Sequence, residues 1–422
     1  MLKFLIKGVF RDRSRFLFPI IIVSAGVMLI VFGLGFMNGY IESMIRENAK
    51  FDTGHVKIMT KAYSELSNLK PYDLGMLDIQ ADFQRWRKEY PGLDWVQRIN
   101  FGGIVDIADS TGNSLAQGQV AGFAVDLLHG KLERDFLHLD KALIKGRIPS
   151  QSGEVLLSDR AFKELNISLN DSITLMSSTV YGSMAMASFR VVGTVSFGVE
   201  ALDKGGLIAD MTDIQRFLDM EGGCSEILGL YKNGIYNDKQ ARELARGFNT
   251  KYSGKDEFSP VMLAMSEQGN MGYTLRLMRS AFGYIVAIFI LIMGIVLWNS
   301  GLMNGIRRYG EIGVRLAIGE EKRHIYTSLL LEALAVGVVG SALGCLIGLG
   351  FSYYLSLHGL DMSYYTRNTS ILTENVIYPY TTLKTILYGI APGILSTLLG
   401  SSLAGIAVFR RQTSQLFKEL ET

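Results

Sequence analysis

Residues 16–37 read FLFPIIIVSAGVMLIVFGLGFM, and no side chain in this run carries a charge. A helix needs about 20 apolar residues to cross the hydrocarbon core of a bilayer, so the run is long enough to span a membrane. A cleaved signal peptide is the alternative, but the run exceeds the usual apolar region of such peptides and no A-x-A-like site follows it. The stretch therefore favours a membrane-spanning helix near the N-terminus.

Three further charge-free runs of similar length follow, namely Ala281–Ile306, Ala333–Leu357 and Thr385–Phe409. Charged residues make up 19 % of the chain, below the ~25 % that is usual in soluble domains. The predicted fold class is therefore membrane α-helical, with four transmembrane helices in a 1+3 arrangement. A large mixed α+β extracytoplasmic domain is inserted between helices 1 and 2.

Basic residues are unevenly distributed among the segments outside these runs. They precede the first run, separate the second from the third and follow the fourth: Lys3, Lys7, Arg11, Arg13, Arg15, Arg307, Arg308, Arg315, Lys322, Arg323, Arg410, Arg411 and Lys418. The segment between the third and fourth runs offers only Arg367 before Lys384. Because Lys and Arg favour cytoplasmic loops, we expect both termini and the loop between spans two and three to be cytoplasmic. A net charge of only +2 does not suggest a nucleic-acid partner.

These patterns divide the chain into nine predicted segments. They are a cytoplasmic amphipathic helix (1–15), transmembrane helix 1 (16–39), an extracytoplasmic domain with stalk helices at both ends (40–279), transmembrane helix 2 (280–303), a cytoplasmic loop with a short helix (304–324), transmembrane helix 3 (325–356), a short extracytoplasmic loop (357–383), transmembrane helix 4 (384–409) and a cytoplasmic tail (410–422). The first segment could instead be a targeting peptide, and the stalks could be simple linkers. Residues 1–15 alternate apolar and basic side chains at helical spacing, which favours a helix on the lipid surface.

Short β-rich runs alternate with helical pieces in the predicted outer domain. Strand-like runs are His55–Met59, Gly103–Ile107, Glu154–Leu157, Ser172–Leu175 and Phe189–Val195, and helix-like runs are Ala81–Glu89 and Thr212–Leu218. Cys224 lies in this domain and Cys345 within the third span, so we predict no disulfide between them.

Small residues recur at intervals of four in the last two spans. Gly340, Gly344 and Gly348 lie on one face of the third span, and Gly389 and Gly393 on one face of the fourth. Small residues allow helix backbones to approach closely in lipid, so we expect these glycines to pack helices together. Glu332 is the only acidic residue within the spans. A carboxylate in lipid needs a partner, and the sequence leaves open whether Glu332 pairs structurally or takes part in gating.

Signals for catalysis are missing from the sequence. No G-x-x-x-x-G-K-[ST] motif, H-x-x-x-H, CxxC or G-x-S-x-G occurs, and the five histidines are scattered. We expect no catalytic residue, no metal site and no cofactor bound by this chain. Any ATP would have to act through another polypeptide.

The loop between spans two and three reads NGIRRYGEIGVRLAIG over residues 304–319. Ile306, Ile312 and Leu316 fit the buried side of a short helix whose other side carries Arg308, Glu311 and Arg315. An ordinary solvated turn would not need so much apolar sequence.

At this loop the chain resembles the FtsX-like permease family of ABC transporters. The family pattern R-x-x-E-I-G-x-x-R-x-x-G is matched, with slight differences in spacing, by Arg308, Glu311, Ile312, Gly313, Arg315 and Gly319. An acidic residue in the next span, here Glu332, belongs to the same pattern. The outer domain resembles the MacB-type periplasmic core domain in four short stretches: Gly146-Arg147, Gly153 to Asp159, Asn170-Asp171 and Phe189 to Thr194.

The resemblance implies a non-catalytic permease of the bacterial inner membrane. Such a permease pairs with a second permease, identical or different, and with a separate ABC ATPase dimer that binds ATP and Mg. It implies that residues 311–319, including Leu316, pass the motion of the ATPase through the stalks to the outer domain. By length, the LolC/LolE-type lipoprotein-releasing permeases are favoured, with a lipoprotein substrate and a periplasmic carrier. An efflux permease, or a cell-division mechanotransmitter that activates a wall hydrolase, is the alternative.

Overall fold

The computed structural model describes residues 13–108, 113–307, 309–362, 364, 374 and 376–410. The chain forms two compact units. The helical unit contains Met1–Ile41, Leu277–Leu360 and Ile377–Thr422, and the sheet unit contains Glu42–Arg276 and Asp361–Val376. The predicted amphipathic helix and the end of the C-terminal tail lie largely outside the described residues.

Helices account for most of the helical unit and for the shorter connections of the sheet unit. In chain order they are α1 (Arg13–Asn48), α2 (Lys61–Glu65), α3 (Gln80–Glu89), α4 (Leu132–Phe136), α5 (Leu139–Ala142), α6 (Asp159–Glu164), α7 (Glu200–Asp203), α8 (Met211–Phe217), α9 (Asp238–Tyr252), α10 (Met271–Arg307), α11 (Tyr309–Ala317), α12 (Lys322–His358) and α13 (Leu383–Arg410). Four helices in the described part of the chain, α1, α10, α12 and α13, are long and apolar enough to cross a membrane.

Three of these four helices are much longer than a bilayer requires. α1 has 36 residues, and α10 and α12 have 37 each, against the about 20 needed to span. The boundary between the two units falls inside α1 and inside α10. The predicted fold class is confirmed: four apolar helices, the first near the N-terminus, with a large mixed α/β region between the first and the other three.

The sheet unit is built on ten hydrogen-bonded strands. They are β1 (Val56–Thr60), β2 (Leu93–Ala108), β3 (Ser114–Val125), β4 (Leu143–Gly146), β5 (Glu154–Ser158), β6 (Ser172–Ser178), β7 (Met184–Val195), β8 (Gly206–Asp210), β9 (Glu226–Tyr231) and β10 (Pro260–Ala264). Their order is β10-β1-β9-β2-β3-β8-β5-β7-β4, and β6 bridges β2 and β7. Two-residue strands β11 (Leu360–Asp361) and β12 (Val376–Ile377) complete the described strands.

Two apolar clusters form the core of the sheet unit. The larger cluster contains Trp86, Trp95 and Phe248, with α3 and α9 packed on the sheet. The smaller contains Phe123, Leu137 and Phe197. Since apolar burial supplies most of the folding free energy, these clusters explain how the unit folds without a disulfide. Cys224 and Cys345 form no disulfide, as the sequence predicted, and both are buried.

Glycines bring the backbones of the helical unit together. A Cβ added at Gly340 would lie 2.8 Å from Val23 Cβ, one at Gly348 would lie 3.0 Å from the Met28 carbonyl oxygen, and one at Gly344 would clash with the Ser24 carbonyl oxygen. The third span therefore packs its glycine face directly on the backbone of α1.

The glycines of the fourth span also contact α1. A Cβ at Gly389 would clash with Val31, and one at Gly393 would clash with the Ser341 hydroxyl and meet Val27 at 2.6 Å. Without water to drive apolar burial, close packing of this kind holds membrane helices together. Gly337 and Gly400, which the spacing pattern did not single out, approach other helices as closely: Gly337 approaches Thr397 of α13, and Gly400 approaches Trp298 of α10.

Candidate functional site

The loop between α10 and α12 forms the short helix α11, Tyr309–Ala317. One side of α11 packs against the start of α12: Ile312 is 6 % exposed and contacts Ile325, which is 2 % exposed, with Leu316 beside them. Ile312 and Leu316 are four residues apart and so lie on the same face of a helix. The apolar contact holds α11 against α12.

A glycine ends α11 and sets the angle of the turn that follows. Gly319 has a φ of +91°, a left-handed conformation that favours glycine. The Gly319 amide donates to the Leu316 carbonyl (3.1 Å), and the Glu320 amide donates to the Arg315 carbonyl (3.0 Å). This pair of bonds is the Schellman motif. Gly319 therefore has a structural role: it caps α11 so that α12 can begin at Lys322.

The opposite side of α11 is apolar but uncovered. Val314 is 63 % exposed and Ile318 is 78 % exposed. At about 100° per residue these two positions lie roughly opposite Ile312 and Leu316. Among the described residues, no atom lies within 4 Å of a Cβ added at Gly310 or Gly313. We call this surface, formed by Gly310, Val314 and Ile318, the open face of α11.

The structure brings some of the predicted loop residues together and leaves others apart. Ile312 and Leu316 are brought together with Ile325, and Gly319 caps the helix. Arg308 and the side chain of Glu311 lie outside the described part of the chain. Arg315 lies on α11 and is partly buried. Val314 and Ile318 were not among the predicted site residues, although two apolar side chains between charged residues were a usable signal.

Glu332 lies in the third turn of α12 and is partly buried. Nearby on the same helix, the Tyr326 hydroxyl lies 2.8 Å from the Ser402 hydroxyl of α13. A polar contact therefore joins α12 and α13 at this end of the two helices. The position of Glu332 is compatible with either of the roles that the sequence left open.

Two of the four stretches that resemble a MacB-type domain, Gly146-Arg147 and the start of Gly153 to Asp159, meet in one turn of the sheet unit. Arg147 donates from Nη1 to Glu154 Oε2 (2.7 Å), and the Ser150 amide donates to the same oxygen (2.9 Å). The bond from Arg147 is the main cause that lowers the pKa of Glu154 to about 2. Gly146 and Gly153 both have positive φ, +76° and +80°. These residues thus shape the connection between β4 and β5.

One group of side chains in the described residues has the spacing of a metal site: Asp126, His129 and Asp210. Both aspartate carboxylates already accept hydrogen bonds from backbone amides. Asp210 accepts from the amides of Leu127 (3.1 Å) and Thr212 (2.9 Å). Asp126 accepts from the His129 amide at 2.9 Å. The group is therefore explained by helix capping and turn formation.

A comparison with protein families matches residues 283–413 to the "FtsX-like permease C-terminal" family. The matched region covers α11, α12 and α13, and most of α10. It includes Ile312, Gly319 and the open face of α11. The match therefore lies on the part of the chain in which the candidate site was found.

Curated relatives match smaller parts of the chain. A macrolide export ATP-binding/permease protein MacB from Brucella abortus is 37 % identical over 134 residues, which are 32 % of this chain and 20 % of that protein. A lipoprotein-releasing system transmembrane protein LolC from Xylella fastidiosa is 23 % identical over 229 residues, 53 % of each chain. The alignments thus span less than two thirds of either relative.

Among solved structures, the periplasmic region of MacB from Actinobacillus actinomycetemcomitans matches 50 % of this chain and 87 % of that chain, with a TM-score of 0.34 and 14 % identity. Similarity at this level supports no conclusion about fold or function. The family match and the curated relatives carry the assignment. The C-terminal membrane region of this chain therefore matches the FtsX-like permease family, and its relatives include proteins of both the MacB and the LolC type.

Proposed function

We propose that this chain is the permease subunit of an ABC transporter and that it receives ATP-driven motion from a partner ATPase at α11. The observation that carries the proposal is the open face of α11. Val314 and Ile318 are exposed on a helix whose other face is packed. Exposed apolar side chains on a short, fixed helix mark a surface that binds another protein or the membrane, and the resemblance of this loop to FtsX-like permeases favours a protein. An ATPase domain is the partner that FtsX-like permeases require.

Motion would pass from α11 to α12 because of how α11 is held. Ile312 and Leu316 fix it to α12, and the Gly319 cap leaves a turn of only a few residues before Lys322. A displacement applied to the open face of α11 would therefore move α12 with little loss. ATP and Mg would bind to the partner ATPase dimer, since this chain has no P-loop motif. A second permease, identical or different, would complete the transporter.

We further propose that the transporter releases lipoproteins from the bacterial inner membrane. The alignment with LolC covers 53 % of that relative, whereas the alignments with the MacB proteins of Brucella abortus and Pseudomonas entomophila cover 20 % and 38 % of those relatives. The distribution of basic residues supports cytoplasmic termini. An efflux permease is the second candidate, because the MacB relatives also match. A cell-division mechanotransmitter that activates a wall hydrolase would use the same transmission helix.

The coupling proposal is tested by charging the open face. In the double variant Val314→Asp/Ile318→Asp the apolar contact is lost. The amount of partner ATPase that copurifies from membranes should therefore fall at least tenfold. The matched control is Leu115→Asp/Ile235→Asp, which charges two side chains of the sheet unit that are 68 % and 64 % exposed. The control should retain the ATPase normally.

Normal ATPase retention by the α11 variant, with normal membrane insertion, would contradict the coupling proposal. Replacing Glu311 and Arg315 offers a second test, in which ATP-dependent activity should fall. The substrate proposal needs reconstitution in vesicles with the copurified partners. Release of a lipoprotein to a soluble carrier upon ATP addition would support it, and transport of a macrolide without lipoprotein release would favour the efflux alternative.

A further inference from the structure

A π-helical segment, Ala49–Thr53, connects α1 to β1 in the sheet unit. Its turn is closed by the Gly54 amide, which donates to the Ala49 carbonyl at 3.1 Å. Short π-helical turns are rare in proteins, and many of those that occur lie at functional sites. We call Ala49–Thr53 the π segment. Four independent contacts fix it to other parts of the sheet unit.

An apolar side chain anchors the middle of the π segment. Phe51 is 5 % exposed and lies in the smaller apolar cluster of the sheet unit. Its ring makes edge contacts with Phe123, at a centroid distance of 6.3 Å, and with Phe197, at 5.9 Å. Such edge-to-face pairs are favourable beyond the area they bury. The π turn therefore directs Phe51 into the core.

A fully buried arginine holds the backbone next to Phe51. Arg98 of β2 donates from Nη1 to the Lys50 carbonyl at 2.7 Å. The same guanidinium donates from Nε and Nη2 to both carboxylate oxygens of Glu133, at 2.8 and 2.9 Å. Arg98 is 0 % exposed and Glu133 is 2 % exposed. A buried two-pronged pair has a narrow geometry, so it fixes the position from which Arg98 reaches Lys50.

Two further contacts fix the end of the π segment. Gln268, three residues before α10 begins, donates from Nε2 to the Thr53 carbonyl at 3.0 Å. Asp52 pairs with Lys70 at 3.1 Å and with Lys57 at 3.5 Å. Lys57 in turn pairs with the buried Glu226 of β9 at 2.7 Å. The π segment is thus tied to β2, to β9 and to the residues that lead into α10.

The last turns of α1 bind a fourth piece of chain. Arg46 pairs with Glu374 at 2.8 Å, and the Glu374 amide donates to the Ser43 hydroxyl at 3.2 Å. Glu374 belongs to the segment Asp361–Val376, which connects α12 to α13 and lies in the sheet unit. Two stretches close to unit boundaries are therefore tied down: Glu374, near the boundary at Val376, to the end of α1, and Gln268, ahead of the boundary at Arg276, to the π segment.

We infer that the π segment and its ties form a rigid joint. Through this joint the end of α1, the β-sheet and the residues leading into α10 move as one body. The inference deepens the proposed function and rests on it for its purpose, since a permease that transmits motion needs a connection that does not yield. The existence of the joint itself depends only on the contacts within the sheet unit. Arg98 and Gln268 are its positioning residues.

The joint is tested by hydrogen exchange on the purified full-length chain, with mass-spectrometric peptides that cover residues 49–54. The double variant Arg98→Met/Glu133→Leu removes the buried pair without leaving either charge unpaired. Amides of residues 50–54 should then exchange at least tenfold faster, while amides of β5 and β8 keep their protection. The matched control is Arg134→Met/Asp140→Leu, an exposed Arg–Asp pair in the same region, 40 % and 60 % exposed. It should leave residues 50–54 unchanged.

Unchanged exchange at residues 50–54 in the Arg98/Glu133 variant, with the sheet still protected, would overturn the inference. If β5 and β8 also lose protection, the variant has unfolded and Gln268→Leu decides. That variant removes the bonds that Gln268 donates to the Thr53 and Leu263 carbonyls, and we expect at least threefold faster exchange over residues 53–54. No change in Gln268→Leu would then overturn the joint.

The role of the joint in transmission is tested separately in the complex with the partner ATPase. The Gln268→Leu variant should retain the ATPase normally but lose the ATP-dependent change in exchange that wild type shows in the sheet unit. An undiminished ATP-dependent change would contradict that role. If wild type binds no ATPase, the proposed function fails, whereas the exchange result on the isolated chain still decides whether the joint exists.

Discussion

The helical unit and the sheet unit each pack their own interior by different chemistry. In the helical unit, glycines such as Gly344 remove side chains so that helix backbones touch. In the sheet unit, charged side chains such as Lys57 and Glu226 are buried together in pairs within an apolar core. Removing apolar surface from water supplies enough folding free energy to offset the desolvation of such pairs. Lipid supplies no comparable free energy for association between helices. The comparison teaches that the helical unit is held by close backbone packing, because lipid gives its helices no drive to bury apolar surface. The sheet unit can bury charged pairs because its apolar core is stabilised by exclusion from water.

Breaking a buried pair should have the largest effect on stability. Lys57→Met would leave Glu226, which is 0 % exposed, without its partner at 2.7 Å. Such a loss typically costs about 3–5 kcal/mol of unfolding free energy. Denaturant unfolding of the sheet unit, followed by the fluorescence of the buried Trp86 and Trp95, measures it. Arg134→Met removes one partner of an exposed pair and should cost far less, because water screens the attraction between exposed charges. Equal costs would remove the distinction between buried and exposed pairs.

Filling a glycine contact in the helical unit should have the next largest effect. Gly344→Leu would force α12 away from the Ser24 carbonyl, and overpacking of this kind costs about 1–3 kcal/mol. The control is Gly350→Leu on the same helix, where nothing lies within 4 Å of an added Cβ among the described residues. Thermal stability in detergent, read by size-exclusion chromatography after heating, should fall for the first variant and not for the second. A similar fall in both would show that the contact with α1 is not what requires glycine.

Acid should weaken the sheet unit through His55. Burial lowers the pKa of His55 from 6.5 to about 4, and its Nδ1 accepts a hydrogen bond from the Tyr231 amide at 2.8 Å. The unfolded chain therefore takes up a proton first, so the stability that His55 contributes above pH 6.5 is lost as the pH falls towards 4. Between pH 7.5 and 5 the loss should be about 2 kcal/mol. Denaturant unfolding at both pH values measures it.

The matched variant for this test is His55→Asn, whose amide oxygen can accept the same bond but does not titrate. Its loss of stability between pH 7.5 and 5 should be smaller than that of wild type by about 2 kcal/mol. An equal loss in both proteins would show that other groups set the acid sensitivity.

The four apolar helices were predictable from the sequence because preference for lipid is a local property of each run of residues. The strand-like runs at Glu154–Leu157 and Phe189–Val195 lie in β5 and β7 for a similar reason. β3 was missed, since its residues LAQGQVAGFAV alternate weakly and its pairing with β2 and β8 sets its conformation. Local pattern thus predicts elements but not the tertiary pairing that decides weak ones.

The candidate site was predictable in part. Periodicity identified the packed side of α11 through Ile312 and Leu316 and places Val314 on the other side, but it could not show that this other side stays exposed, because exposure depends on what covers each face. Arg98 and Glu133 lie 35 residues apart in the chain, so nothing local indicates that they meet. The same holds for the Gln268 bond to Thr53, which spans 215 residues. Contacts of this kind depend on the register of the whole sheet.

The Gly319 cap also has a consequence for how the chain tolerates changes in length. Because the turn between α11 and α12 is so short, the rotational phase of α11 about its own axis is set by the number of residues in that turn. One inserted residue between Gly319 and Lys322 would change how α11 is set against α12, and would carry Val314 and Ile318 away from the direction they now face. We therefore expect the loops of the sheet unit to vary in length among relatives, while the count of residues in this turn stays constant.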